Sequence, residues 1–201
     1  PDEPKRLHAQ GSLKATGGAL DLAISGIGLF VLGSPVENGE ASYTRDGAFQ
    51  INRAETVVTT DGAPVIGINE QPITIPFSLQ MQNGEVEYLS EVKVAADGKI
   101  KVSYDSTKDL EVGQFLLAQF DDESALKSIG NNRYIATDSA GNAQTGGAMT
   151  AGFGEVQAGV LEMSNVDITD ELVSLIRAQQ AFNGSARLMQ AEIEITNKFT
   201  S

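Results

Sequence analysis

Several groups of residues in this sequence have types and spacings that invite chemistry. Gly26 and Gly28, in the run Ser25-Gly26-Ile27-Gly28, could open a dinucleotide-binding turn, where glycines let the backbone approach a pyrophosphate. Position 31 is Val rather than Gly and no helical pattern follows, so that fingerprint is incomplete. Asp121, Asp122 and Glu123 gather carboxylates. A calcium loop spreads its ligands over about twelve residues around an internal Gly and a closing Glu, so a solvated acidic turn is expected here. His8 is the single histidine and lies in a polar stretch, which reads as a surface position. Asn183-Gly184-Ser185 fits a glycosylation sequon but falls in a segment with helical spacing. Serines and threonines have no evident base to activate them. Cysteine is absent, which removes disulfide and thiolate chemistry. With no Trp and 6% aromatic residues, there is little on which to stack sugars or bases. A carboxylate pair for glycoside hydrolysis can be far apart in sequence, and nothing singles one out. No catalytic residue, cofactor or metal site is expected.

The bulk properties point the same way. Of 201 residues, 41% are hydrophobic and 20% charged, enough apolar material for a folded core. Fourteen Lys and Arg against 27 Asp and Glu give a formal charge of −13, spread along the chain. Nucleic acid is not an expected partner, because phosphate binding draws on clustered Lys and Arg. No apolar run approaches the roughly 18 residues that a membrane-spanning helix requires, so no direct membrane insertion is expected.

The elements that would position any site are mostly short strands. Residues 1–20 read as an irregular N-terminal arm ending in Gly17-Gly18. Apolar runs at 21–24 and 29–32 read as strands about the Gly26-Ile27-Gly28 turn. Asp-Gly pairs predict hairpins joining 41–44 to 48–51, 56–60 to 64–66, and 92–95 to 99–103. Asn38-Gly39 and Asn83-Gly84 mark further turns. A strand with proline ends is expected at 72–76, a buried strand at 115–120, a helical turn holding Leu126 and Ile129, and a strand at 134–137. A small-residue loop over 138–152 precedes a last extended piece at 153–161. The fold class that follows is mainly β, a multi-hairpin body over 21–160 with a long C-terminal α-helix in 161–201.

That helix is predicted over 168–199, roughly 48 Å long at 1.5 Å per residue. Asp167 is the expected N-cap, with Asp170 and Glu171 in the first turn and Lys198 near the end. Positions 172, 175, 179, 182, 186, 189, 193 and 196 step by three and four. They place Leu172, Leu175, Gln179, Phe182, Met189 and Ile193 on one seam, with Ile176 beside it. The seam is only partly apolar, and Gly184 costs about 1 kcal/mol against Ala in a helix interior. Alone, such a helix is marginal, so it is expected to serve as an assembly interface.

Three segments together resemble a known family. They are TGGALDLAISGIGLF at 16–30, YTRDGAF at 43–49 and LEMSNVDITDELVSLIRAQQAF at 161–182. Their order and spacing are similar to those of the bacterial flagellar axial proteins, which include distal rod and hook subunits. The resemblance rests on Asp21, Gly26, Gly28, Tyr43, Thr44, Arg45, Gly47, Phe49, Ser164, Asn165 and Val166. It implies a structural subunit without enzymatic activity, exported without a cleaved signal and polymerised with copies of itself and neighbouring axial proteins into a tube that transmits torque for motility. It also implies contact with the flagellar export apparatus, and residence in the basal-body rod, in the periplasm and outer-membrane region, or in the extracellular hook. The family's N-terminal helix has no counterpart before Pro1, which implies a trimmed chain. The segment between the second and third motifs is too short for a hook's extra outer domain, which favours a distal rod protein. FLLAQF, GNNRY and SNVDIT read more like a hook, and a hook protein lacking that domain is the alternative. From another class, a β-sandwich carbohydrate-active enzyme or binding module would require two inward carboxylates.

Overall fold

A computed structural model describes residues 10–33, 41–81, 84–106, 109–150, 152–165 and 168–200. His8, Asn38-Gly39, Val166 and the expected N-cap Asp167 lie outside them. The chain divides into two compact units, Pro1–Met163 and Ser164–Ser201.

The first unit is built from short strands. In chain order they are β1 (Leu13–Ala15), β2 (Leu22–Ser25), β3 (Leu29–Leu32), β4 (Ser42–Thr44), β5 (Phe49–Ile51) and β6 (Val57–Thr59). Then come β7 (Ser78–Gln80), β8 (Val86–Val94), β9 (Lys99–Tyr104), β10 (Leu110–Gln114) and β11 (Leu117–Gln119). The last are β12 (Lys127–Gly130), β13 (Arg133–Ile135), β14 (Gln144–Gly146), β15 (Glu155–Ala158) and β16 (Val160–Glu162). The largest sheet runs β12-β13-β4-β3-β11-β14, and a four-stranded one runs β10-β9-β8-β7. Pairs β1-β16, β15-β2 and β5-β6 complete the unit, all antiparallel.

The core explains why β3 is apolar throughout rather than alternating. Alternate side chains of a strand point to opposite faces. Phe30 and Leu32 enter one apolar cluster with Phe49, Ile100, Phe115 and Leu117, whereas Leu29 and Val31 enter a second with Tyr43, Leu116, Ala118 and Phe120. β3 and the run from Phe115 to Ala118 are therefore walls between two cores, and both read in sequence as unbroken apolar runs. Rings lock each side: Phe30 meets Phe49 edge-on at 5.0 Å, and Tyr43 meets Phe120 at 4.8 Å.

Several expectations change. Residues 13–15, expected in an irregular arm, form β1 against β16. The expected hairpin at Asp46-Gly47 is absent, because β4 pairs with β3 and β13 while β5 pairs with β6. The helical turn is a short 3-10 helix at Glu123–Ala125 capped by Asp122; Leu126 follows it, and Ile129 belongs to β12. β14 interrupts the expected loop, and β7 and β10 add unexpected strands. Around 72–76 the alternation holds, with Ile73 and Ile75 buried, but pairing is limited to single bridges at Pro72 and Thr74.

The second unit is the helix α1 (Ile168–Thr200), 33 residues and about 50 Å long.

Candidate assembly site

The motif residues converge on Arg45. Gly26 and Gly28 take φ of 114° and 138°, conformations that an L side chain adopts only with strain. The turn they make presents a row of carbonyls, and the Arg45 guanidinium donates to three of them: Gly28 O at 2.9 Å, Ile24 O at 3.1 Å and Gly26 O at 2.7 Å. Its Nε donates to Glu162 Oε2 at 2.9 Å, and the two side chains are 20% and 11% exposed. A guanidinium carries five N–H donors in a fixed fork, and these four bonds use most of them. Glu162 Oε1 accepts from Gly11 N at 2.8 Å. Gln10 closes the edge, donating to Ile24 O at 3.2 Å and accepting from Gly26 N at 3.4 Å. The three segments thus meet at Arg45, the first through three carbonyls and the third through the largely enclosed charged bond to Glu162.

The neighbouring motif residues hold the corner that aims Arg45. Thr44 Oγ1 donates to Asn132 O at 2.8 Å and accepts from Asp46 N at 3.0 Å. Tyr43 and Phe49 are buried in different cores on either side of the corner. Gly47 lies against the backbone of Leu22, where an added Cβ would fall 1.8 Å from the carbonyl oxygen. Asp21 bridges to Ala48, and its carbonyl accepts from Gly159 N and Val160 N. Ser164 and Asn165 are exposed ahead of α1.

On α1 the large seam residues Leu172, Leu175, Ile176, Phe182 and Met189 are 51% to 75% exposed, and Gln179 is exposed between them. Ile193 is helical in its backbone; its side chain is outside the described residues. An added Cβ at Gly184 would meet open space. The other chemistry-bearing groups resolve into local structure. Asp122 Oδ1 accepts from Ser124 N and Oγ, Asp121 accepts from Gln144, and the Gly26-Ile27-Gly28 turn leads into a strand.

Residues 23–102 match the flagellar hook protein FlgE/F/G D1 domain, and residues 157–199 match the flagellar basal body rod FlgEFG protein C-terminal domain. Over 201 residues, all of this chain, it is 34% identical to the flagellar basal-body rod protein FlgG of Buchnera aphidicola subsp. Baizongia pistaciae, of which it covers 71%. The chain belongs to the flagellar rod and hook family. Within that family it is 31% identical to FlgG of Bacillus subtilis over 197 residues, covering 97% of this chain and 69% of the relative. It is 32% identical to the basal-body rod protein FlgF of Caulobacter vibrioides over 191 residues, covering 95% and 68%. The D1 match contains Arg45, and the C-terminal match contains Glu162 and all of α1 but its last residue.

Glu162, Gln10 and Gly11 were not singled out by sequence reasoning. Glu162 stands inside the third motif, and its acidic type opposite the lone Arg of the second was the available signal. Gln10 and Gly11 carry no signal of their own, because they act through one amide side chain and one backbone N–H.

Proposed function

We infer that this chain is a structural subunit of the bacterial flagellar rod, of the distal type, which self-assembles with copies of itself and neighbouring axial proteins. The observation that carries this is the match along the entire chain to basal-body rod protein FlgG. That match spans FLLAQF and GNNRY, the segments that read like a hook, and so favours rod over hook. In this reading the work is mechanical, transmitting torque without catalysis or a cofactor, and the chain travels through the flagellar export apparatus without a cleaved signal to a rod in the periplasm and outer-membrane region. What supports a non-catalytic role is that the relatives are named for the rod they build.

Assembly falls to α1. A helix with Leu172, Leu175, Ile176, Gln179, Phe182, Met189 and Ile193 along one seam gains stability when that seam is covered by other copies. Leu175→Glu or Phe182→Glu in the full native protein is expected to prevent incorporation into rods seen by electron microscopy, while the body keeps its β circular-dichroism signal. Normal rods built from either variant would overturn the seam; a gene deletion that leaves motility intact would overturn the rod assignment itself.

A further inference from the structure

The strands nearest the two ends of the body form a sheet of their own. Among the described residues β1 and β16 pair only with each other, Leu13 opposite Glu162 and Ala15 opposite Val160. All three residues of β1 are exposed, those of β16 are half-buried, and neither strand contributes a side chain to the two apolar clusters. Polar bonds attach this strap to the body at both ends. At one end Gly159 N and Val160 N donate to Asp21 O; at the other Glu162 receives Arg45, while Gln10 bonds Ile24 and Gly26.

Segments with few buried apolar contacts open at low free energy, independently of the core. A charged bond shielded from water is the exception, since removing one partner leaves the other enclosed without its counter-charge. We propose that β1 and β16 are a strap that leaves the body and unpairs in one step, and that the Arg45–Glu162 bond is the latch that sets how often it does. Arg45 keeps its three carbonyl partners when the strap lifts, so the latch can reclose on a guanidinium already aimed. Because the strap joins residues 10–15 to 160–163, one opening frees the chain at both ends of the body and lengthens the segment that leads into α1.

Amide hydrogen exchange on the full chain tests this. In Arg45→Ala and in Glu162→Gln, amides of 11–16 and 159–163 are expected to exchange on the order of a hundredfold faster, while those of 57–75 and 99–104 keep their protection. Unchanged exchange in the strap would overturn the latch, and equal acceleration in the core would overturn the separate strap. A second arm joins Lys14→Cys to Leu161→Cys in the Arg45→Ala background. These positions face each other across the ladder and the chain has no other cysteine. Oxidation should restore protection of the strap and reduction should remove it; a staple that forms without restoring protection would also defeat the proposal.

Discussion

The same dipeptide turns two corners of the body in different ways. Between β8 and β9, Gly98 takes φ of 79°, Gly98 N donates to Ala95 O, and Asp97 Oδ1 accepts from Lys99 N, which closes a tight hairpin. After β4, Gly47 has no positive φ, and the strands on its two sides, β4 and β5, lie in different sheets. It is glycine because the chain leaves one sheet there and crosses the backbone of Leu22, whose N–H donates to Gly47 O at 3.0 Å. Both aspartates accept from the amide two residues on, Asp97 from Lys99 N and Asp46 from Ala48 N, but Asp46 also ties its corner to the β12–β13 region through Asn132 Nδ2 at 3.2 Å. One glycine is required by a dihedral angle and the other by a neighbour's backbone.

Substitution separates the two requirements. Gly47→Ala should show the largest effect, about 3–5 kcal/mol by denaturant titration, because the added carbon meets backbone that must itself shift. Gly47→Asn should be no milder, since the obstacle is space. Gly98→Ala should cost about 1–2 kcal/mol, the price of a left-handed Ala, with its Cβ in ordinary contact with Ala148 at 3.6 Å. Gly98→Asn should recover much of that, because Asn tolerates this conformation. Equal losses for Ala at positions 47 and 98 would erase the distinction.

The smallest effect sharpens the third Asp-Gly corner, at Asp61-Gly62. There the Thr59 hydroxyl bonds the Asp61 carboxylate, Asn131 donates at 3.3 Å, and Arg133 pairs with it at 3.0 Å. These partners, the Thr59 bond foremost, hold the Asp61 pKa below its ordinary value against the opposing effect of burial. A carboxylate depressed on folding stabilises the native state above its unfolded pKa of about 3.9, and that contribution fades as pH falls through the folded value. Asp61→Asn should therefore be less stable by about 1 kcal/mol or less near neutral pH, with the gap closing in acid. A gap that stays constant across urea titrations at both pH extremes would show that the charge contributes nothing.

These corners also show what sequence makes legible. The β8–β9 hairpin was readable because its signal is local: two alternating runs and a turn that needs positive φ. The Asp46-Gly47 corner carries the same letters, but its partners are Leu22, β3 and β13, which no window around residue 46 contains. The buried run at Phe115 to Ala118 was visible because both of its faces are apolar. β1, β7, β10 and β14 were not, since short exposed strands held by backbone pairing leave little hydrophobic pattern. At the candidate site, Arg45 was recognisable by its motif, while its partner Glu162 lies more than half the chain away and is joined to it only by the fold. The helix α1 was the most readable element of all, because helical spacing is written in consecutive residues.

The strand pairings carry a kinetic consequence. Leu13 pairs with Glu162, Ile24 with Val156, Phe30 with Leu117 and Tyr43 with Tyr134. Until residues 117–162 are present, β1 and β2 have no ladder partner and β3 and β4 have only each other. Closing such long loops must precede the pairing that rewards it, which places bodies of this kind among slow folders, on the order of milliseconds to seconds. The β8–β9 hairpin, needing only its own neighbourhood, can form early and wait. The first and last strands of the body can meet only after the chain between them has been made.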